Sequence, residues 1–230
     1  MRKDFFLDAL IFDFDGVLVD SEPIHLHCYQ QVLESLGIKL SREDYYAKYL
    51  GYDDHDCFIH VLDDLRISHN SRQIQELIER KTALVTESFQ NSIQPLPGAV
   101  EFIRQAEMLV TPMAICSGAL RNEIELAAQT IGIRESMMAI IAAEDVERGK
   151  PDPEGYVLAL ERLIQLTGRV LRADKTIVVE DSPAGISAAK DAGMKVLALT
   201  TSYRPSELTQ ADKIVRNLAD IRAAELERLV

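Results

Sequence analysis

Two aspartates, Asp13 and Asp15, close the apolar run ALIF with one residue between them, and Gly16 follows. Glu180 and Asp181 close a second apolar run, TIVV; Ser117-Gly118 follows a third, and Lys150 stands just before Asp152-Pro153. Several carboxylates meeting in one crevice repel one another and become tolerable beside a cation, and an all-oxygen set suits Mg2+. Ser117 at a helix N-terminus and the cationic Lys150 would add an anion site. Metal, anion cradle and paired aspartates together describe phosphoryl transfer. In such a site Asp13 can attack phosphorus to give an aspartyl phosphate. Asp15 is placed to protonate the leaving oxygen and then to deprotonate water.

Convergence of these residues needs a scaffold, and the hydrophobic pattern supplies one. LDALIF (7–12), PMAICSG (112–118), MAIIAAED (138–145), TIVVED (176–181) and KVLALTTS (195–202) read as short buried strands. Helical patterns alternate with them: after PLPG (95–98), over 120–131, after Asp152-Pro153 and over PAGISAAKDAG. Strand-helix alternation with near-continuous apolar strands predicts an α/β fold with a parallel sheet covered on both faces. Open sheets of this kind bind ligands at the carboxyl ends of their strands, where all these polar residues fall. The stretch 22–92 instead reads as helical throughout. It is an expected insertion after the first strand, giving a core of 1–20 and 94–230 and a helical cap of 21–93.

Composition narrows the function classes. With 230 residues, 47% of them hydrophobic, the chain can bury a full core. A formal net charge of -12 argues against a nucleic-acid footprint and against an anionic membrane surface. No apolar run reaches transmembrane length, and MRKDFF is not continued as a signal peptide. Cys28, Cys57 and Cys116 are odd in number and lack metal spacing, which fits a reducing cytoplasm. Cys116 reads as a small buried residue rather than a nucleophile.

DFDGVLVDSEPIH, ICSGA, GKPDP and VVEDSPAGISAAKDAG, in this order and spacing, resemble the four motifs of the haloacid dehalogenase superfamily. They are most similar to its β-phosphoglucomutase-like phosphatases, and the resemblance spans essentially the whole chain. It implies a Rossmann-like core with a helical cap that closes over the substrate. It also implies Asp13 as nucleophile and Asp15 as general acid and base. Mg2+ would be held by Asp13, the Asp15 carbonyl and Asp181, with Glu180 a further ligand or a partner beside them. Asp13, Gly16, Ser117, Gly118 and Lys150 would surround the transferring phosphoryl group. Members are commonly monomeric, and the partner is a small phosphorylated metabolite.

Substrate choice would belong to the cap. There His25 stands where relatives have a histidine near the hinge; His25 and His27, two apart on a helix, do not face each other and make no metal pair. The mutase of this group carries Lys-Gly-x-x-Arg in its cap, whereas this chain has LGYDD at 50–54: Gly51 remains, but Leu50 and Asp54 replace both cations. Lys48 is the nearby cation that could substitute. A second phosphate would meet Asp53 and Asp54, so the expected activity is a phosphatase on a singly phosphorylated compound, such as a sugar phosphate. The alternatives are a sugar phosphomutase and a non-catalytic phosphate-binding or signalling module.

Overall fold

The structure, a computed structural model, describes residues 7–50, 52 and 54–230. It divides into two compact units, one formed by the described residues through Asp20 together with Ile93–Val230, the other by Ser21–Ser92.

The first unit is built on a six-stranded sheet in the order β3-β2-β1-β4-β5-β6. The strands are β1 (Ala9–Phe12), β2 (Met113–Cys116), β3 (Ala139–Ile141), β4 (Thr176–Glu180), β5 (Lys195–Leu199) and β6 (Lys213–Val215). Every pairing is parallel, with Ile11 beside Ala114 on one flank and Val178 on the other. Both faces of β1 are buried, which is why it reads as an uninterrupted apolar run. Strand order reverses between β1 and β4, and that switch point opens a crevice at their carboxyl ends.

Four helices cover this sheet: α5 (Ala99–Met108), α6 (Arg121–Thr130), α7 (Glu154–Thr167) and α8 (Pro183–Asp191) in the numbering used here. Ile11, Ala114, Val178, Ile186, Leu163 and Val196 share one packed face with α7 and α8. α7 starts one residue later than the sequence suggests, with the Asp152 carboxylate accepting from the Glu154 amide at 3.0 Å. α8 is capped by Ser182, whose Oγ accepts from the Gly185 amide at 3.0 Å. Ser117 was expected at a helix N-terminus, but α6 starts only at Arg121, so Ser117 lies in the loop before it.

The second unit is helical among its described residues: α1 (Glu22–Glu34), α2 (Arg42–Asp44), a π-helical turn (Tyr45–Tyr49), α3 (Asp54–Asp64) and α4 (Ser71–Ser92). Asn70 and Gln73 cap α4 reciprocally, each amide donating to the other's side chain at 3.0 Å. Tyr29, Val32, Phe58, Val61, Ile74 and Leu77 form its own apolar core. Among the described residues, no helix is long and apolar enough to cross a membrane.

Candidate active site

Asp13 continues β1 past its last strand residue, its amide donating to the Val179 carbonyl at 2.9 Å. Ser117 extends β2 in the same way, donating to the Ile141 carbonyl at 2.9 Å. Glu180 is the last residue of β4, and Asp181 follows it. Adjacent parallel strands thus deliver Asp13, Ser117, Glu180 and Asp181 to one edge of the sheet. Asp13, Glu180 and Asp181 are all buried, and each offers a carboxylate oxygen within 4.8 Å of the others. Lys150 joins them from the loop before α7. Its ammonium donates to Asp13 Oδ1 and to Glu180 Oε1, both at 2.7 Å.

The charges in this cluster do not cancel. Three buried carboxylates lie beside one ammonium, which binds Asp13 and Glu180, and burial costs each of them its hydration. Desolvation, reinforced by Glu180 and Asp181, pushes the Asp13 carboxyl well above its ordinary range despite Lys150. Burial likewise raises Asp181 to about 6, with Glu180 and Asp15 adding to the shift and the Ser202 hydroxyl and Lys150 opposing it. Burial works against the Lys150 ammonium, yet Asp13 and Glu180 outweigh it and hold the pKa well above that of a free lysine. Glu180 is the exception among the carboxylates: burial would raise it, but Lys150 and its hydrogen-bond donors keep it low. A surplus of two negative charges on oxygen ligands is what a hard divalent cation balances, so the donor set fits such an ion.

The remaining predicted residues fall around this cluster or in the other unit. Asp15 is close enough to Asp181 to perturb it. Gly16 takes φ +74°, and a Cβ there would overlap the Asp181 carboxylate. The Ala119 amide donates to Ser117 Oγ at 3.1 Å, turning the loop through Gly118. Ser117, Gly118 and Lys150 also line a cavity of about 280 Å3, with Cys116, Gly155 and Tyr156 in its wall. Burial pushes the Cys116 thiol up to about 12, so it stays protonated. Gly51 and Asp53 lie outside the described residues.

In the helical unit, His25 Nδ1 lies 3.0 Å from Lys81 Nζ. Lys81, only 2% exposed, also pairs with Asp54 Oδ1, to which the Tyr29 hydroxyl donates at 2.7 Å. The ammonium sits 4.3 Å from the centre of the Tyr29 ring. Burial and Lys81 lower the His25 pKa to about 4, against a smaller pull from Asp54. The ring is therefore neutral at pH 7 and accepts from Lys81 at Nδ1. Lys48 sits on the π-helical turn, exposed and paired with Asp44 at 2.8 Å.

Lys81, Tyr29, Tyr156 and Ser202 carry polar contacts that the sequence did not single out. Ser202 alone had a usable signal, since it follows an apolar strand as the other site residues do.

Comparison with known proteins gives this geometry relatives. The family profile described as haloacid dehalogenase-like hydrolase matches residues 10–199. Validoxylamine A 7'-phosphate phosphatase of Streptomyces hygroscopicus subsp. limoneus is 28% identical over 92% of this chain and 94% of its own length. A phosphorylated carbohydrates phosphatase of Thermotoga maritima is 29% identical over 82% of this chain and 83% of its own. Among solved structures, a HAD family hydrolase from Deinococcus radiodurans R1 with bound phosphate and sodium superposes with a TM-score of 0.75 at 26% identity, covering 99% of each chain.

Proposed function

The chain belongs to the haloacid dehalogenase-like hydrolases, and from that premise we propose that it is a Mg2+-dependent phosphatase releasing phosphate from a small phosphorylated metabolite of the sugar-phosphate class. The observation that carries this reading is the cluster of buried Asp13, Glu180 and Asp181 at the switch point of the sheet, with the Lys150 ammonium on Asp13 and Glu180 as an anion cradle. Asp13 Oδ attacks phosphorus; the ester P–O bond breaks, and Asp15 gives its proton to the leaving oxygen. Water then attacks the aspartyl phosphate, losing a proton to Asp15, and inorganic phosphate leaves with Asp13 restored. Gly16, Ser117, Gly118 and Lys150 surround the phosphoryl group. When bound, Mg2+ supplies positive charge to the phosphoryl oxygens, with Asp13, the Asp15 carbonyl and Asp181 as ligands and Glu180 beside them. The names of the two phosphatase relatives support a carbohydrate-like substrate.

A mutase would need cations in the helical unit for a second phosphate. Leu50 and Asp54 stand there in place of the two cations of the mutase's loop, which favours a singly phosphorylated substrate. The test is a panel of phosphorylated sugars and other small metabolites with Mg2+, following free phosphate and phosphate position together. Release that requires Mg2+ and is lost in Asp13→Asn is expected. Phosphate migration without release would replace the phosphatase by the mutase, and no turnover of any substrate would leave only a binding role.

A further inference from the structure

Tyr156 lies on the first turn of α7, 1% exposed, and its hydroxyl donates to Glu180 Oε1 at 2.8 Å. Lys150 donates to the same oxygen, and its ammonium stands 5.1 Å from the centre of the Tyr156 ring. The other oxygen, Oε2, is held separately by the amides of Asp181 and Ser182, at 2.8 and 2.9 Å, and by the Ser182 hydroxyl at 3.0 Å. Among the described residues Glu180 therefore receives five donors, and of these only Tyr156 shares an oxygen with Lys150.

That sharing bears on where the ammonium rests. A buried carboxylate oxygen with a single donor draws it in more strongly than one that divides its charge between two. Two of the three N–H groups of Lys150 are committed, to Asp13 and Glu180, among the described residues, leaving one for an anion. Two glycines allow the arrangement. A Cβ on Gly155 would press on Cys116 Sγ at 2.8 Å, so glycine lets α7 approach β2. A Cβ on Gly185 would overlap the Glu180 carboxylate itself.

We propose that Tyr156 is a positioning residue: by taking part of the charge on Glu180 Oε1, its hydroxyl keeps the Lys150 ammonium balanced between Glu180 and Asp13, with a proton directed to the phosphoryl group. The inference rests on the reading of Lys150 as a phosphoryl ligand. Tyr156→Phe keeps the ring and its volume and leaves Glu180 with its other donors, so the fold is expected to survive. The first readout is inorganic phosphate binding by calorimetry in the presence of saturating Mg2+, which needs no turnover. The expected result is a phosphate Kd raised about fivefold to tenfold, the scale of one ordinary net hydrogen bond, since the bond lost acts on phosphate only through Lys150. In a Lys150→Met background the same substitution is expected to change the Kd by less than about 1.5-fold, because Tyr156 acts through Lys150.

An unchanged Kd in Tyr156→Phe overturns the proposal, as does an equal loss in both backgrounds. Loss of the folded state, read by circular dichroism, also overturns it by making the role structural. A wild-type protein that binds phosphate and hydrolyses nothing would remove the phosphatase and leave this inference standing.

Discussion

Gly185 and Gly16 sit where side chains of the site press directly on backbone, against Glu180 and Asp181 respectively, and Gly16 also takes a left-handed φ of +74°. Gly185→Ala and Gly16→Ala are each expected to destabilise the protein by about 1 to 3 kcal/mol and to lower phosphate release by more than about tenfold. Urea unfolding and a phosphate-release assay read the two effects, and a variant with wild-type activity would remove the close approach from the account. His25 gives a pH dependence. Its pKa falls from 6.5 in the unfolded chain to about 4 in the fold, so between these values the unfolded state binds more protons. The contribution is fully present above 6.5 and is lost as pH falls toward 4, at most about 3 kcal/mol. Unfolding free energies of the wild type and His25→Gln, measured from pH 7 to pH 4, should converge on acidification. The acidic residues, Ser117 and Lys150 were legible because each follows a strand or stands in a recognisable motif. Tyr156 and Lys81 were not. An aromatic on an amphipathic helix reads as core, and a lysine in ERKTALV reads as a solvated residue until a partner such as Asp54 is brought beside it.

α5 ends with a conformation ill suited to its residue. Val110 has φ +56° and is 78% exposed, and the following Thr111 amide reaches back to the Ala106 carbonyl at 3.2 Å. A β-branched residue in this left-handed position after a helix stands where glycine is the usual choice. Val110→Gly is expected to stabilise the protein by about 1 kcal/mol and raise the unfolding midpoint by about 2 to 4 °C. A lowered midpoint would mean that the flexibility glycine adds to the unfolded chain outweighs the relieved conformation. The strands β1 to β5 could be read from the chain because burial on both faces leaves a continuous apolar signature. β6 could not: KIV is short and half-buried throughout, without that signature. Helix starts moved by one to a few residues, as at Ser117 and Asp152, since several polar residues in each loop could have provided the cap.

At the scale of the molecule, charge governs approach to the site. The chain carries a formal net charge of -12, and a phosphorylated substrate is itself an anion. Long-range repulsion between them is screened by salt. With Mg2+ kept saturating, kcat/KM is expected to rise about twofold as added salt goes from about 10 to about 150 mM. A steady fall over that range would show that local positive charge at the cradle dominates the encounter instead. Fold class was the most legible property at this scale, because the alternation of strand and helix repeats along most of the chain and leaves few topologies open.

The strand order also sets a timetable for synthesis. β1 leaves the ribosome first but pairs with β2 and β4, so Ile11 must wait for Val178 before its second neighbour exists. Ser21–Ser92, rich in local helical contacts, emerges complete long before then and can fold while β1 is still unpaired. A chain halted before β4 therefore carries Asp13 without Glu180 or Asp181, and the apolar β1 with β2 on one side and nothing on the other. Such nascent chains lack most of the acidic cluster and leave one edge of β1 unpaired, the kind of transient edge that exposes folding intermediates to aggregation.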